Sequence, residues 1–344
     1  MSNPILVDVL RGSLVESRHR GAVAVIDAEN RPVLFFGDVD RPVFPRSVVK
    51  ALQALVLVES GAADRYGLSE AELALVCASH SGEPDHVAAA QRILSRAGLT
   101  CAALRCGAHP PIHQPSAAAL YRAGQTPSAL HNNCSGKHSG FLCAACGIGA
   151  DPQSYIEATH PVQREVRSAI ESLSDAPLPD ENRAIDGCSV PTWALPLKNL
   201  ALAFARFGTG HGLAPQRAKA AARLRAACAA HPWYVAGTGR FCTEIMRRFG
   251  ARVFIKSGAE GMVCASLPDE GLGIAVKCDD GAGRATEVVI AALIARFCAL
   301  TDADRAGLEP YLRPTLRNWN GIAVGALKPT EVIFGKPQTH GDEK

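Results

Sequence analysis

The sequence has no long apolar run, no cluster of basic residues and no recognisable leader. Its most apolar long stretch, Val288–Leu300, contains Arg296 and is too short to cross a bilayer. The 36 basic and 33 acidic residues are interspersed, whereas a nucleic-acid-binding surface needs clustered Lys and Arg. No basic segment followed by an apolar one opens the chain. We therefore expect a cytoplasmic protein with neither a membrane nor a nucleic-acid partner.

Twelve cysteines are many for 344 residues, yet they do not require a disulfide framework. A chain this long, with 47% apolar residues, can be stabilised by burial alone. We expect most of the thiols to be reduced, buried and inert. Cys143-Ala144-Ala145-Cys146 has the spacing of one half of a metal-binding motif, but the sequence contains no second pair of ligands to complete it. The simpler interpretation is two core thiols one helical turn apart.

Strand-like segments occupy both ends of the sequence, and helical segments occupy the middle. The patterns predict strands and helices at the following positions: strands Leu14–Ser17, Ala22–Asp27, Pro32–Phe36, Arg252–Lys256, Gly261–Leu267, Gly273–Cys278, Trp319–Gly325 and Thr330–Ile333, and helices Arg46–Ser60, Trp193–Phe207 and Ala282–Leu300 among others. This order favours an α+β fold in which one antiparallel sheet is built from both chain ends. We expect a single domain over residues 1–344, helical from about 45 to 250.

Ser47-Val48-Val49-Lys50 is the first candidate for chemistry. Its serine and lysine lie one helical turn apart at the start of a predicted helix that is otherwise apolar. A serine hydroxyl needs an adjacent base to become a nucleophile, and a partly desolvated lysine can serve. Free backbone N–H groups at a helix start can also stabilise an oxyanion. The plain alternative is an N-terminal serine beside a solvated lysine.

Lys256-Ser257-Gly258 ends a predicted strand and extends this pattern. Serine β-lactamases and penicillin-binding enzymes combine a Ser-x-x-Lys helix start, a middle polar motif and a Lys-Ser/Thr-Gly strand. The order in this sequence fits that plan. Two segments could supply the middle motif: Ser79-His80-Ser81 and Asn132-Asn133.

The segment from His131 to Gly140 is the most unusual in composition. Two Asn, two His, a Cys, a Lys and two Gly directly precede or open an apolar helix, and such polar density suits a site better than a core. Asp186-Gly187-Cys188 offers a second thiol and a carboxylate in a turn-like context. Two thiolates with a nitrogen donor would suit Zn²⁺, although no complete four-ligand spacing is present.

Five motifs together resemble one family. They are Pro45-Arg46-Ser47-Val48-Val49-Lys50, Ala78-Ser79-His80-Ser81-Gly82-Glu83, Asn133-Cys134-Ser135-Gly136-Lys137-His138, Asp186-Gly187-Cys188-Ser189-Val190-Pro191 and Lys256-Ser257-Gly258-Ala259-Glu260-Gly261. In this order they resemble the rhizobial-type, or class 3, L-asparaginases over essentially the whole chain. The Thr-Gly-Gly-Thr signature of threonine-dependent asparaginases is missing near the N-terminus.

The resemblance implies a fold similar to serine β-lactamases and glutaminases, a homodimer, and hydrolysis of L-asparagine to L-aspartate and ammonia. It implies two Ser–Lys pairs, Ser47 with Lys50 and Ser79 with Lys256. It also implies a zinc ion held by three residues, with a carboxylate close by: Cys134, Lys137 and Cys188, with Asp186. We expect Arg46, Asp186 and His138 to help bind the substrate.

Two other classes of function use the same residues. A glutaminase or a β-lactam-acylated serine hydrolase would keep the Ser–Lys chemistry and change the substrate. A zinc-binding or redox-sensing protein would depend on the cysteines and not on the serines.

Overall fold

A computed structural model describes residues 2–335 of the chain. These residues form two compact units. Among the described residues, the first comprises 2–48, 195–209 and 255–335, and the second comprises Val49–Ala194 and Gly210–Phe254. The predicted single domain over residues 1–344 stays a prediction.

The strands form one large sheet in the first unit and two short two-stranded pairs. The described strands are β1 (Ile5–Arg11), β2 (Leu14–Asp27), β3 (Pro32–Phe36), β4 (Pro42–Val43), β5 (Arg183–Ile185), β6 (Pro191–Trp193), β7 (Leu195–Pro196), β8 (Phe254–Ser257), β9 (Met262–Leu267), β10 (Leu272–Cys278), β11 (Thr315–Arg317) and β12 (Ala323–Pro329). The large sheet has the order β11-β12-β1-β2-β10-β9-β8, with β3 also paired to β2. Six of its pairs are antiparallel: β11–β12, β12–β1, β1–β2, β2–β10, β10–β9 and β2–β3. The predicted α+β fold with a sheet from both chain ends is confirmed.

The helices fill the middle of the sequence and two positions near its end. The described α-helices are α1 (Lys50–Gln53), α2 (Leu55–Glu59), α3 (Ala62–Arg65), α4 (Glu70–Val76), α5 (Pro84–Arg96), α6 (Gln114–Arg122), α7 (Ser135–Gly147), α8 (Pro161–Ser174), α9 (Leu197–Thr209), α10 (Pro215–Ala230), α11 (Pro232–Ala236), α12 (Phe241–Phe249), α13 (Gly283–Phe297) and α14 (Asp302–Leu312). Within residues 2–335, none has both the length and the apolarity needed to span a bilayer.

In the first unit, α9 and α13 pack on the central strands of the sheet. Strand β9 is buried along its whole length, and β10 at every residue but Lys277, because helices rather than water contact the sheet. Gly273 on β10 makes the approach of α9 possible, since a Cβ at this position would overlap the carbonyl oxygen of Ala201 and the amide of Ala205.

In the second unit, α7 is the central helix, and its first eleven residues are buried on all sides. Small residues let it lie against α4. A Cβ at Gly136 would overlap the carbonyl oxygen of Leu75, and one at Gly140 would lie 2.9 Å from the Cγ1 of Val76. Close packing of these helices therefore fixes the position of the polar residues at the start of α7.

Several predicted boundaries differ from the structure. The predicted helix Arg46–Ser60 is a 3-10 helix over Arg46–Val49 followed by α1 and α2, with a break at Ala54. The predicted strand Thr330–Ile333 is wrong, since Glu331–Phe334 form a 3-10 helix. The helix predicted from Trp193 begins at Leu197, because β6 and β7 precede it.

Candidate active site

Lys50 lies inside the second unit with 1% of its surface exposed. Its Nζ donates to the carbonyl oxygens of Ala78 (2.8 Å) and Asn133 (3.4 Å) and to the hydroxyl of Ser79 (3.0 Å). Among the described residues none of these acceptors is a carboxylate. The side chain of Lys50 also hydrogen-bonds Cys134, so one amine contacts both the Ser79 segment and the thiol cluster.

Backbone hydrogen bonds hold the segment around Ser79 between two other stretches of the second unit. Ser79 N donates to the carbonyl of Val235 (3.0 Å), and His80 N donates to the carbonyl of Asn133 (3.2 Å). His80 Nε2 lies 2.8 Å from Ser135 Oγ. The two candidate middle motifs of the sequence, Ser79-His80-Ser81 and Asn132-Asn133, are therefore neighbours around the same lysine.

Cys134, Lys137 and Cys188 come together in the second unit. All three are buried, with 4%, 2% and 3% of their surfaces exposed. Lys137 Nζ donates to Cys188 Sγ over 3.0 Å, and Cys188 Sγ donates to Asp186 Oδ2 over 3.4 Å. The structure thus gathers the residues that the resemblance assigned to a metal, and it places the predicted carboxylate beside them.

The two thiols of this cluster affect each other's ionisation. The hydrogen bond from Cys188, with the positive charges of Lys50 and Lys137, holds the pKa of Cys134 well below its usual value. The same hydrogen bond and burial raise the pKa of Cys188. Burial by itself lowers the pKa of Lys137, but the adjacent Cys188 and Cys134 outweigh it and raise that pKa. Without metal, the cluster therefore holds a thiolate beside an ammonium group.

The donor set fits a zinc ion. Two cysteine sulfurs are common zinc ligands, the amine nitrogen of a lysine is an unusual one, and a small molecule could complete four-coordination. Lysine donates to a metal only as the neutral amine, so binding must displace the proton of Lys137.

A hairpin loop presents Asp186 and Cys188 to this cluster. The loop joins β5 and β6, and it is closed by Asp186 N donating to the carbonyl of Val190 (2.9 Å) and Ser189 N donating to that of Asp186 (2.8 Å). Ser189 has a φ of 75°, so the chain turns sharply directly after Cys188.

His138 follows Lys137 on α7 and is fully buried. Its Nδ1 lies 2.6 Å from the hydroxyl of Tyr155, and its Nε2 has no hydrogen-bond partner among the described residues. Burial lowers the pKa of His138 well below its usual value, so the ring is neutral. The role predicted for His138 in substrate binding stays a prediction; its partner Tyr155 was missed, since nothing in the sequence links the two.

The first unit holds the other predicted residues, Arg46, Ser47 and Lys256. Arg46 has a φ of 52°, and Ser47 is half-buried in the 3-10 helix that follows the turn. Lys256 is 1% exposed, and its Nζ donates to the carbonyl of Ser257 (2.9 Å). A Cβ at Gly258 would lie 3.3 Å from Ser47 N, so the glycine after Lys256-Ser257 lets the end of β8 approach the predicted nucleophile.

Each predicted Ser–Lys pair takes one residue from each unit: Ser47 with Lys50, and Ser79 with Lys256. Both pairings stay predictions. Within the second unit, the structure adds a relationship that the sequence did not suggest, the hydrogen bond from Lys50 to Ser79. The roles of the backbone carbonyls of Ala78 and Asn133 were also missed. Every residue has a backbone carbonyl, so the sequence does not show which ones accept a hydrogen bond from a side chain.

A search of curated proteins gives no significant match. Similar solved structures include a β-lactamase from Mycobacterium bovis, with 15% identity over 81% of this chain and 95% of that chain and a TM-score of 0.38. Another is D-alanine carboxypeptidase AmpC from Burkholderia cenocepacia, with 12% identity over 85% of this chain and 93% of that chain and a TM-score of 0.37. These scores are too low to support an inference.

The family comparison covers nearly the whole sequence. The model of the family described as L-asparaginase II matches residues 7–329, which include every predicted site residue, all of the second unit and most of the first. The chain therefore belongs to the L-asparaginase II family.

Proposed function

We propose that the protein hydrolyses L-asparagine to L-aspartate and ammonia, with Ser47 as nucleophile and Lys50 as its base. Membership of the L-asparaginase II family supports the amidohydrolase reaction. The observation that carries the Ser–Lys chemistry is the buried amine of Lys50, whose Nζ lies 3.0 Å from the hydroxyl of Ser79.

In the proposed mechanism, the neutral amine of Lys50 takes the proton of Ser47 Oγ as this oxygen attacks the side-chain amide carbon. The proton passes to the amide nitrogen, the C–N bond breaks, and ammonia leaves. Water then attacks the acyl-enzyme ester and releases aspartate. Ser79 and Lys256 relay protons between these steps, and the hydrogen bond from Lys50 to Ser79 is the first link of that relay.

Cys134, Lys137 and Cys188 would hold the zinc ion. When bound, zinc would supply a fixed positive charge beside the pocket. Asp186 would bind the substrate's α-amino group and Arg46 its α-carboxylate, and His138, which contacts Tyr155, would support the binding site. We also propose that the protein is a homodimer, which sedimentation velocity tests directly.

The test is ammonia release from asparagine by purified protein and its serine variants. We expect Ser47→Ala to lose at least about 10³-fold in kcat. Ser79→Ala should lose less, and Ser95→Ala on the exposed face of α5 should leave the rate unchanged. If Ser79→Ala abolished turnover and Ser47→Ala kept it, Ser79 would be the nucleophile.

The rival functions give different results in the same preparation. A glutaminase would release ammonia faster from glutamine than from asparagine. A β-lactam-acylated hydrolase would gain the mass of a penicillin on incubation. A zinc-binding or redox-sensing protein would release no ammonia from either amide.

A further inference from the structure

A second group of metal-binding side chains lies at one end of the large sheet, in the first unit. His19 is on β2, Cys278 ends β10, and Asp280 follows in the next turn. His19 and Cys278 are 5% and 2% exposed, whereas the side chain of Asp280 is 49% exposed. Neither the proposed reaction nor the motifs of the sequence use these residues.

The three side chains converge on one point. His19 Nδ1 lies 2.5 Å from Asp280 Oδ2, and Cys278 Sγ lies 3.0 Å from Asp280 Oδ1. The sulfur, the ring nitrogen and a carboxylate oxygen all lie within 4.8 Å of one another. The imidazole N–H and the thiol S–H therefore both point at the same carboxylate.

The backbone holds two of the three residues in place. Cys278 N donates to the carbonyl of Gly261 (2.8 Å), which ties the end of β10 to β9. Asp280 Oδ1 also accepts from Ala282 N (3.0 Å), which fixes the carboxylate in its turn. The strand end and the hydrogen-bonded turn therefore hold the sulfur and the carboxylate close together before any ligand binds.

We propose that His19, Cys278 and Asp280 bind a divalent ion of the Zn²⁺ class, separate from the proposed zinc ion at Cys134. One sulfur, one nitrogen and one oxygen ligand suit such an ion, and solvent can reach a fourth position past Asp280. In a tetrahedral zinc site the ligand atoms lie about 3.2–3.8 Å apart, so the side chains need to spread by about 1 Å. On binding, the thiol releases its proton, and the imidazole proton moves from Nδ1 to Nε2.

Arg284 on α13 opposes this change and sets the affinity. Its Nε donates to His19 Nε2 over 3.1 Å, which keeps the imidazole proton on Nδ1. Metal binding puts a proton on Nε2, so two N–H groups would face each other until Arg284 turns away. Arg284 is exposed, so it has room to do so. Removing its guanidinium should therefore tighten metal binding.

A catalytic triad is the competing interpretation, and the contacts argue against it. Among the described residues, Cys278 Sγ donates to Asp280 and to the carbonyl of Arg20, and not to the ring of His19. An imidazole must contact the thiol to activate it. The group therefore suits a metal better than a nucleophile.

The test titrates metal-free protein with Co²⁺ and records the thiolate-to-cobalt absorption band, with total bound zinc measured by mass spectrometry. Cys134→Ser/Cys188→Ser removes the other thiol cluster. In that background we expect one equivalent of metal and a thiolate band, which Cys278→Ser abolishes and Asp280→Asn weakens at least tenfold. Cys146→Ser, at a half-buried thiol, is the matched control and should change nothing.

The wild-type chain provides a second measurement in case the background variant does not fold. Cys278→Ser should lower its bound zinc by one equivalent and leave ammonia release unchanged. Arg284→Gln should tighten Co²⁺ binding about tenfold. Equal metal content and affinity in wild type and Cys278→Ser would overturn the proposal. A change in ammonia release would overturn its independence from the active site.

Discussion

Lys50 Nζ lies 3.0 Å from Ser79 Oγ, although 29 residues separate the two in the sequence. The same amine donates to two backbone carbonyls and is buried from water. One side chain therefore joins the Ser-x-x-Lys tetrad, the Ser-His-Ser segment and the segment that carries the proposed metal ligands. Substitution of Lys50 should therefore lower the catalytic activity more than it lowers the stability of the fold.

We expect Lys50→Met to lose about 10²–10⁴-fold in kcat/KM for asparagine, because the base is gone while a similar volume fills the site. Lys50→Arg should also be inactive, because a guanidinium keeps its proton. Ammonia release measures both. Lys219→Met, at an exposed lysine of α10, is the control. Activity within a few-fold of wild type in Lys50→Met would exclude Lys50 as the base.

The proposed zinc site predicts a pH-dependent affinity. Cys188→Ser should lower the zinc content by one equivalent, and Cys146→Ser should not. The cluster raises the pKa of Lys137, so this amine must lose a proton when the metal binds. Zinc affinity should therefore fall at least about tenfold for each unit that the pH is lowered. Calorimetric titrations at two pH values measure this slope, and a flat slope would rule out Lys137 as a ligand.

Buried neutral histidines predict that the protein loses stability in weak acid. His86 stacks on Trp233 with ring centroids 4.0 Å apart, and burial lowers the pKa of His86 to about 4. Burial also lowers the pKa of His80 and His138. The unfolded chain therefore binds more protons than the native one below about pH 6.5, so stability falls as the pH drops.

His86 alone should account for up to about 3 kcal/mol of this loss by pH 4. Urea unfolding at pH 7.5 and 5 measures the part of this loss that develops by pH 5, which is about 2 kcal/mol for His86. His86→Gln should flatten the pH dependence, whereas His211→Gln, at an exposed histidine, should leave it unchanged. A wild-type protein equally stable at both pH values would contradict the burial argument.

Gly136 and Gly283 predict opposite effects of the same substitution. Gly136→Ala should destabilise the protein by about 1–3 kcal/mol, because its Cβ would overlap the carbonyl of Leu75. Gly283→Ala, where nothing lies within 4 Å of the new Cβ, should be neutral or stabilise by up to about 1 kcal/mol. Thermal unfolding compares the two. Equal effects would mean that α7 can move away from α4.

The sequence predicted the features that depend on pattern. Alternation and apolar runs located most strands of the sheet, and the order of strands and helices predicted the fold class. Strand β11 and helix α14 were missed, because α14 contains Pro310 and β11 has only three residues. The break at Ala54 in the predicted helix Arg46–Ser60 was also missed, because the residues of that segment favour a continuous helix.

The sequence predicted which residues form the candidate site, but not which of their atoms are in contact. The motifs identified Lys137 and Cys188, and the structure places their Nζ and Sγ 3.0 Å apart. The neighbourhood of His19, Cys278 and Asp280 could not be predicted, because no motif joins residues 261 positions apart. Such contacts depend on strand pairing, which residue types alone do not specify.

The sheet built from both chain ends also affects the order of events on the ribosome. Ile5 O accepts a hydrogen bond from Thr330 Oγ1, and 325 residues separate the two. At about 5–20 residues per second, β1 leaves the ribosome roughly 15 to 60 seconds before β12, which pairs with one of its edges. During that time the exposed edges of β1 and β2 depend on chaperones or on each other. Slowed translation of the last third of the chain should therefore increase aggregation of the nascent protein.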